Sequence, residues 1–371
     1  MRNILHVSLF IVFSSWMNAS FSQITHKPTI GFGATNSFFS DLSVEDFVAG
    51  FTFAISPNAT LKEEVVIETK MDRSPLAASI LAKKLLDSGA KALIGFPGSH
   101  DCLLAAKEAA KKSASSLFLN CSHNDLKQYS GRMATTVSDM NEEVQSMLEF
   151  LTVHEKRKNG LVIIHPQHIA SRLQGDLYLK LQNNFKGQIS YNVVDLSSIG
   201  TIPEGFLNKL KSREYDFIVL TAYPDLLQPL REQFTKESIV TNLYGSSAWD
   251  NLEVARRFLL NLNNKFVYPT PWDRSSRRSQ EFIKSFKNKF AKEPSPEAAF
   301  GYDLGLILVQ ISKSNKSHTL SEGLKTAISE RKCFTGLLTN SICLGDLGAH
   351  SHKERTFVQV TQKGLIRVYP R

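Results

Sequence analysis

The sequence lacks the short motifs that mark the commonest enzymes and nucleotide-binding proteins. It contains no G-x-S-x-G nucleophile motif, no H-E-x-x-H zinc motif and no Walker sequence. The stretch "GFGATN" (31–36) departs from the dinucleotide-binding pattern G-x-G-x-x-G at its last position. Ser99 and His100 are adjacent in sequence, which does not by itself make a catalytic pair. We therefore expect no catalytic residues, no cofactor and no enzymatic activity.

Cysteine is scarce, and its spacing is not that of a metal site. The four cysteines include no C-x-x-C pair, so a zinc site has little support. Four histidines lie near predicted strand ends without the supporting pattern of a metal centre, and we expect no metal there: His100, His123, His165 and His168. Cys102 and Cys121 lie near the ends of neighbouring predicted strands, and Cys333 and Cys343 flank a short hairpin pattern. Two disulfides and free buried thiols remain the alternatives.

Long apolar runs are absent after the first residues. Residues 4–16 are mostly apolar, follow Arg2 and precede small residues that end at Ser22. A run of this length is too short to span a bilayer comfortably and is typical of a signal peptide. We expect residues 1–22 to be removed and the mature protein to be soluble, in the periplasm or secreted. An uncleaved membrane anchor is the alternative, and a lipid anchor is not expected because no cysteine lies at the cleavage site.

The charge is positive but is not concentrated in one patch. The formal net charge is +9, and the densest basic stretches are "EKRK" (155–158) and "DRSSRR" (273–278). Neither stretch has the interleaved aromatic residues of a nucleic-acid site. We expect a solvated basic surface, no nucleic-acid partner, and at most a mild attraction for anionic ligands.

The first half of the chain alternates between apolar strand patterns and helix patterns. Strands are predicted at 28–34, 63–69, 91–96 and 115–120, and helices at 43–56, at 75–89 and up to residue 112. The pattern then restarts, with strands at 160–164, 189–196, 215–222 and 238–245 and helices near 144–151, 170–185, 203–212 and 225–234. Such alternation with short connections predicts βαβ units and parallel sheets.

The alternation of strand and helix patterns ends after residue 265. The segment "FVYPTPWD" (266–273) contains two prolines and is interpreted as a chain crossing. Three helices are predicted near 276–290, 297–313 and 319–329, and the second is apolar almost all round and should be buried. Short strand patterns close the chain.

Several stretches resemble the type I periplasmic binding proteins of the branched-chain amino acid class. "AAFGYDLGLILVQ" (298–310) is similar to that family's Gly-Tyr-Asp-Ala helix, and "FTGLLTNSICLGDLG" (334–348) to its closing hairpin. "KALIGFPGS" (91–99) resembles the strand and turn that receive a ligand's carboxylate, and "YDFIVLTAYPDLLQPLREQF" (215–234) the element carrying an acidic partner for an amine. The resemblance implies an α/β fold of two doubly wound parallel-sheet lobes joined by hinge crossings. It places lobe 1 at 23–137 plus 268–330, and lobe 2 at 138–267 plus 331–371.

The sequence also departs from that family. "SPNATLKEE" (56–64) stands where an N-x-x-G-G-I-x-G element is frequent, and "HPQHIAS" (165–171) where a tyrosine–glycine pair is frequent. Asn340 replaces a usual glycine in the closing hairpin. These departures leave the ligand class more open than the fold.

The turn after the third predicted strand is the leading candidate for a binding site. Gly98, Ser99 and His100 lie at the carboxyl end of a parallel strand and open a helix. Unpaired N–H groups and the helix dipole would receive a carboxylate there, with Gly98 allowing close approach and Ser99 adding a hydroxyl donor. Ordinary N-capping by Ser99 is the alternative.

Other candidate ligand contacts come from both lobes. Ser122 and His123 follow the next strand and offer a second donor pair, or are simple turn residues. Asp225, at a helix start in lobe 2, would pair with a ligand amine or only stabilise its helix. Three aromatic residues are candidate walls of the cleft or, alternatively, core residues: Tyr223, Trp249 and Trp272. His168 would donate to a polar ligand or is an ordinary surface histidine.

The resemblance implies an exported solute-binding protein. It would capture a small amino acid or related carboxylate and deliver it to the permease of a membrane transporter of the ABC type. The alternative is a sensory or scaffold domain of the same fold that docks on a membrane protein.

Overall fold

Two parallel sheets organise the chain, each covered by helices on both faces. The computed structural model describes residues 29–35, 44–71, 74–119, 121, 124–129, 131–135, 140–165, 169–195, 202–222, 227–250, 252–259, 262, 264–314, 319–338, 341–345, 356–361 and 364–369. One sheet has five strands and the other seven, and a separate two-stranded hairpin completes the set within these residues. The predicted α/β class with two doubly wound lobes is confirmed.

Lobe 1 contains the five-stranded sheet. Its strands are β1 (Ile30–Thr35), β2 (Val65–Lys70), β3 (Ala92–Gly95), β4 (Ser115–Phe118) and β5 (Met133–Thr135), in the order β2-β1-β3-β4-β5 with all neighbours parallel. The helices between them are α1 (Val44–Ile55), α2 (Ala59–Glu64), α3 (Ala77–Asp87) and α4 (Ser99–Lys111).

Lobe 2 repeats the same winding. Its parallel strands are β6 (Asn159–Ile164), β7 (Ser190–Asp195), β8 (Phe217–Leu220), β9 (Asn242–Gly245) and β10 (Lys265–Thr270). Its helices are α5 (Met140–Glu149), α6 (Ile169–Leu181), α7 (Glu204–Lys211), α8 (Gln228–Lys236) and α9 (Leu252–Leu259). The order β14-β13-β10-β9-β8-β6-β7 includes two antiparallel strands from the end of the chain.

The last hundred residues contribute to both lobes. Three helices follow β10, namely α10 (Arg277–Phe290), α11 (Pro296–Ser314) and α12 (Leu320–Ser329). The hairpin of β11 (Cys333–Phe334) and β12 (Ile342–Cys343) comes next, and β13 (Thr356–Thr361) and β14 (Gly364–Tyr369) complete the second sheet. Disulfides join Cys333 to Cys343 and Cys102 to Cys121, so all four cysteines are paired rather than free.

Each sheet of the two lobes is buried between two apolar layers. In lobe 1, Ile30, Phe32 and Ala34 alternate onto the face that packs against α1, α11 and α12. The other face packs against α3 and α4, which supply alanine and leucine side chains. Lobe 2 likewise has α7, α8 and α9 on one face and α5 and α6 on the other. Burial on both faces explains why these strands read as continuous apolar runs.

The structure divides the lobes differently from the sequence-based boundaries after residue 267. The strand β10 pairs with β9 and therefore belongs to lobe 2 as far as Thr270. The β11–β12 hairpin, assigned to lobe 2 from the sequence, packs Phe334 and Ile342 into the core of lobe 1. An isolated antiparallel bridge between Thr135 and Gly345 also ties this segment to the first sheet. The described crossing between the lobes is 271–276, and Arg367 of β14 pairs with Asp273 there at 2.7 Å.

The carboxyl edges of the two sheets

A tight turn joins β3 to α4 at the carboxyl edge of the first sheet. The strand ends at Gly95, and α4 begins at Ser99 with Gly98 as its N-cap. Gly98 has φ 99° and ψ 138°, a backbone conformation that residues with a Cβ rarely adopt. This conformation turns the chain from strand to helix within three residues. The first N–H groups of α4 are therefore presented at the edge of the sheet.

The turn lies where ligands bind in open parallel sheets. The order β2-β1-β3 means that the chain winds outward in opposite directions from β1 and β3. Crevices at such a reversal are the usual ligand sites of doubly wound sheets. Gly98, Ser99 and His100 are each half-buried, so they are neither sealed in the core nor fully solvated. Ser99 is the first residue of the helix and Gly98 is its N-cap. Ser99 is therefore not the N-cap residue that the alternative interpretation required. His100 Nε2 lies 3.2 Å from the carbonyl oxygen of Pro75.

A buried acid in the same helical turn was not predicted from the sequence. The side chain of Asp101 is 2% exposed and accepts a hydrogen bond of 2.5 Å from Thr35 Oγ1 at the end of β1. Burial raises the pKa of the Asp101 carboxyl from 3.8 to about 6, against the opposing effects of Thr35 and of the nearby His100 ring. The first turn of α4 therefore contains a buried acid whose pKa is raised to about 6.

Replacing Asp101 by asparagine should remove part of the pH dependence of stability. Between about pH 4 and pH 6 the folded protein holds the Asp101 proton while the unfolded chain has lost it. The folded state then binds more protons, so the free energy of unfolding falls as the pH rises through this range. A shift of about two units corresponds to about 3 kcal/mol. Urea unfolding at pH 4, 5, 6 and 7 should show the wild type losing about this much relative to Asp101→Asn.

Asp87→Asn is the matched control, because Asp87 is an exposed acid in the same lobe, at the carboxyl end of α3. Its unfolding curve should keep the pH dependence of the wild type. Parallel pH profiles for Asp101→Asn and the wild type would contradict the assignment.

A disulfide holds the turn against the neighbouring strand. Cys102, in the first turn of α4, is bonded to Cys121, which follows β4. Thr135 Oγ1, at the end of β5, donates a 2.8 Å hydrogen bond to the carbonyl of Cys121. The amino end of α4 and the carboxyl ends of β4 and β5 are therefore linked side by side. Such linkage fixes the direction of the exposed amide groups before a ligand arrives.

The carboxyl edge of the lobe 2 sheet carries a polar network. Ser171 Oγ lies 2.6 Å from Thr221 Oγ1, just after β8, and accepts a hydrogen bond of 2.8 Å from the backbone N–H of His165, just after β6. The Glu143 carboxylate accepts hydrogen bonds from the backbone N–H and the hydroxyl of Ser247, at 2.9 and 2.7 Å, just after β9. The network holds the carboxyl ends of three strands in fixed positions.

His165 has a ring nitrogen that no described residue satisfies. Its Nδ1 atom is buried and has no hydrogen-bond partner among the residues that the structure describes. His165 follows β6, beside the reversal of strand order between β6 and β8. By strand order β6 is the lobe 2 counterpart of β1, so His165 corresponds in position to the end of β1 at Thr35. The sequence marked it only as a histidine near a strand end.

The two candidate tryptophans are core residues, which corrects their interpretation as cleft walls. Trp249 is fully buried, packs on Phe266 with ring centroids 4.6 Å apart, and donates from Nε1 to the carbonyl of Leu220. Trp272 is 1% exposed and donates from Nε1 to Ser279 Oγ at 2.8 Å. Their polar atoms are satisfied internally and their rings leave almost no surface for a ligand. The other candidates lie outside the described residues: Ser122, His123, His168, Tyr223 and Asp225.

Sequence comparison places the chain in a known family. The model of a family described as periplasmic binding protein matches residues 66–364, most of the chain. The chain belongs to this family. No curated protein matches the sequence significantly. The resemblance drawn from the strand, helix and hairpin motifs is thereby confirmed.

Solved structures of this type share the fold of the chain. A leucine-binding protein, LivK, from Thermotoga maritima superposes with a TM-score of 0.70 at 16% identity, covering 91% of this chain and 97% of that one. LivJ from Streptococcus pneumoniae, a branched-chain amino acid transporter substrate-binding protein solved with isoleucine, gives 0.68 at 15%, covering 92% and 100%. A solute-binding protein from R. palustris, solved with benzoate, gives 0.67 at 14%, covering 92% and 95%. At these identities the likeness concerns the fold.

The family is one of periplasmic or extracellular solute-binding proteins. Among the described residues, no helix has the length and apolar character needed to cross a bilayer.

Proposed function

We propose that this periplasmic binding protein is exported and captures a small amino acid or related carboxylate between its two lobes. It then delivers the ligand to the permease of an ABC transporter. The protein acts by binding alone, without a chemical step. One observation carries the proposal: the half-buried turn at Gly98, Ser99 and His100 presents helix-terminal N–H groups at the strand-order reversal of lobe 1.

The ligands of the structural neighbours support a carboxylate. Leucine, isoleucine and benzoate appear in the descriptions of proteins that share this fold. These three molecules differ in size, shape and the presence of an amine, but each combines one carboxylate with an apolar body. A fixed anion site at Gly98, with variable surroundings, would suit all three kinds of ligand.

Closure of the lobes would follow from contacts made on both sides. A ligand held at the Gly98 turn of lobe 1 would also meet the carboxyl edge of lobe 2, where His165 follows β6 and Ser247 lies two residues after β9. These second contacts form only when the lobes approach. Because the ligand binds the closed form better than the open form, it shifts the equilibrium towards closure. The transporter would then recognise the closed form.

A thermal-shift screen tests capture of a carboxylate ligand. The purified protein is heated with branched-chain, aromatic and acidic amino acids, with benzoate, and with the matching amines and amides that lack a carboxylate. A ligand at about 100 times its Kd should stabilise the folded protein by about 2.7 kcal/mol. We expect at least one carboxylate to do so and its amide to fail.

Ser99→Ala and Gly131→Ala are the paired variants for this screen. Gly131 is an exposed turn residue of the same lobe with open space around it, and its φ of 81° means that alanine there introduces strain away from the site. The control is therefore judged by the shift that the ligand adds, not by the melting temperature of the free variant. Ser99→Ala should weaken the shift and Gly131→Ala should leave it unchanged. If no carboxylate produces a shift, capture fails, and a scaffold domain that docks on a membrane protein becomes the better account.

A further inference from the structure

A row of side-chain oxygens lies at the amino edge of the lobe 2 sheet, away from the carboxyl edges that carry the candidate ligand site. Asp216 comes directly before β8, Thr241 before β9 and Asn264 before β10, and these three strands are neighbours. One buried oxygen of each residue has no hydrogen-bond partner in the described part of the chain, namely Asp216 Oδ1, Thr241 Oγ1 and Asn264 Oδ1. Because buried polar atoms are almost always paired, three such oxygens on adjacent strands indicate a bound partner.

The strand register places the three side chains on one face of the sheet. The pairing of β8 with β9 begins two residues after Asp216 and Thr241, so these two residues stand side by side. The pairing of β9 with β10 begins one residue after Thr241 and Asn264, so these are neighbours as well. Residues two apart on a strand share a face, and the residues two positions further on all pack under α7, α8 and α9: Ile218, Leu243 and Phe266. The three oxygens therefore lie at the amino rim of that face.

Hydrogen bonds decide which oxygen of each side chain is left over. The backbone N–H of Lys158 donates to Asp216 Oδ2 at 3.2 Å, and Oδ1 remains unpaired. Asn264 Nδ2 donates to the carbonyl oxygen of Thr241 at 3.0 Å, so turning the amide over would set two oxygens against each other. Asn242 Nδ2 likewise donates to the carbonyl oxygen of Asp216 at 3.0 Å, which ties the starts of β8 and β9 together. The leftover atoms are one carboxylate, one amide and one hydroxyl oxygen.

The charge at this edge favours a cation. The helices α7, α8 and α9 each lead into one of the three strands, so their carboxyl ends meet the same edge. The last carbonyl groups of a helix carry partial negative charge. Two lysines in the last turns of these helices are offset by one acid, since Lys211 pairs with Glu237 at 2.7 Å and Lys236 also acts on Glu237. The Asp216 carboxylate has no ion pair with a basic side chain among the described residues.

The spacing of the row suits calcium. Neighbouring strands lie about 4.8 Å apart, and Ca²⁺ binds oxygen at about 2.3–2.6 Å, so one ion between two strands reaches the oxygens of both. Mg²⁺ binds at about 2.0–2.1 Å and is too small to bridge that spacing. In the described ranges, no three acidic, histidine or cysteine side chains are placed to hold a metal ion. A site here therefore has a single carboxylate and takes its other ligands from neutral oxygens and water.

We propose that Asp216, Thr241 and Asn264 form a binding site for a calcium ion at the amino edge of the lobe 2 sheet. The ion joins the starts of β8, β9 and β10 through their side-chain oxygens and so stabilises lobe 2. With one carboxylate, the affinity falls in the weak range of extracellular calcium modules, with a Kd of about 10⁻⁴–10⁻³ M. The site does not depend on carboxylate capture, because it lies at the other edge of the sheet.

The first test uses calcium chloride as the probe, on protein freed of metal by a chelator and with no carboxylate ligand present. Magnesium chloride at the same concentration and sodium chloride at the same ionic strength control for valence and screening. Calcium should raise the melting temperature of the wild type above both controls, because it binds the folded chain alone. Calorimetry should give a Kd in the range above.

The second test compares two variants of the row with one control. Asp216→Asn keeps an oxygen for the Lys158 N–H but removes the charge, and Thr241→Val removes the hydroxyl with little change in shape. Each should weaken calcium binding at least about tenfold, since ligand number and charge set the affinity. Asp195→Asn alters an exposed acid at the carboxyl end of β7 in the same lobe and should bind calcium as the wild type does. Melting of the chelator-treated variants verifies that they are folded.

The outcomes separate a calcium site from simple hydration. No increment in the wild type, or an equal increment from magnesium or sodium, would overturn the site, and the row then binds water only. Calcium affinity that is unchanged in Asp216→Asn or in Thr241→Val would overturn it as well. The carboxylate screen is run separately in the presence of chelator, so failure of either proposal leaves the other standing.

Discussion

Replacing Gly301 by valine should destabilise the protein by about 3 kcal/mol or more, as expected for forced overpacking in a core. A Cβ atom at Gly301 in α11 would lie 2.0 Å from the carbonyl oxygen of Phe47 in α1. The same crossing is tight from the other side, since a Cβ at Gly50 would lie 1.9 Å from the carbonyl of Ala298. The two helices therefore touch backbone to backbone, and valine must push them apart. Urea unfolding gives the free energy directly.

Gly205→Val is the matched control for this substitution. Gly205 is also a helical glycine, in α7, but it is exposed and a Cβ there would meet nothing within 4 Å. We expect its effect to stay within about 1 kcal/mol, the size of an ordinary helix-propensity change. Equal losses in the two variants would show that helix propensity, rather than the α1–α11 contact, sets the cost.

Replacing Gly98 by alanine should weaken ligand binding by at least about tenfold, or about 1.4 kcal/mol. The backbone of Gly98, at φ 99° and ψ 138°, is strained by about 1–3 kcal/mol for any residue with a Cβ. Alanine relieves that strain by moving the turn, and the N–H groups of Ser99 and His100 move with it. Titration calorimetry with the best carboxylate from the thermal-shift screen measures the change.

Gly187→Ala controls for the backbone strain of alanine at a positive φ, without moving the carboxyl edge of the lobe 1 sheet. Gly187 also has a positive φ, 79°, but it is exposed at the amino end of β7, opposite the carboxyl edge. Its substitution should cost some stability and leave the affinity unchanged. An equal loss of affinity in both variants, or none in Gly98→Ala, would remove the turn from the site.

Most of the fold could be predicted because its strands are buried on both faces. The strand predicted at 160–164 is observed at Asn159–Ile164, and the helix predicted at 297–313 at Pro296–Ser314. The strands are recognisable as apolar runs that glycine bounds, and the helices as amphipathic patterns. Both signals lie within a few neighbouring residues of the sequence.

The elements that were missed depend on contacts distant in sequence. The strand β10 contains Pro269 and was interpreted as a crossing, but its pairing with β9 ends at Val267. Beyond that residue the strand has one neighbour, so the missing N–H of proline is tolerated. The β5 strand has only three residues, which are too few to show the alternation of side chains that marks a strand in a sequence. The lobe to which the β11–β12 hairpin belongs depends on packing partners such as Phe47, which no local pattern reveals.

The candidate site was predictable only in part for the same reason. The turn at Gly98 follows from a strand that ends in glycine before a helix. The hydrogen bonds at the two carboxyl edges join residues that are far apart in sequence: Thr35 and Asp101 in lobe 1 are separated by 66 residues, and Glu143 and Ser247 in lobe 2 by 104. Aromatic residues can be assigned to the site when they belong to the core, because local sequence does not distinguish a tryptophan in a core from one in a cleft. Trp249 and Trp272 show this directly.

A crystal structure of the protein with its best-binding carboxylate tests the central claim most directly. The account predicts a ligand between the lobes, with its carboxylate oxygens within about 3.2 Å of the backbone nitrogens of Ser99 or His100. A carboxylate bound elsewhere, with the first turn of α4 covered by protein side chains, would contradict it.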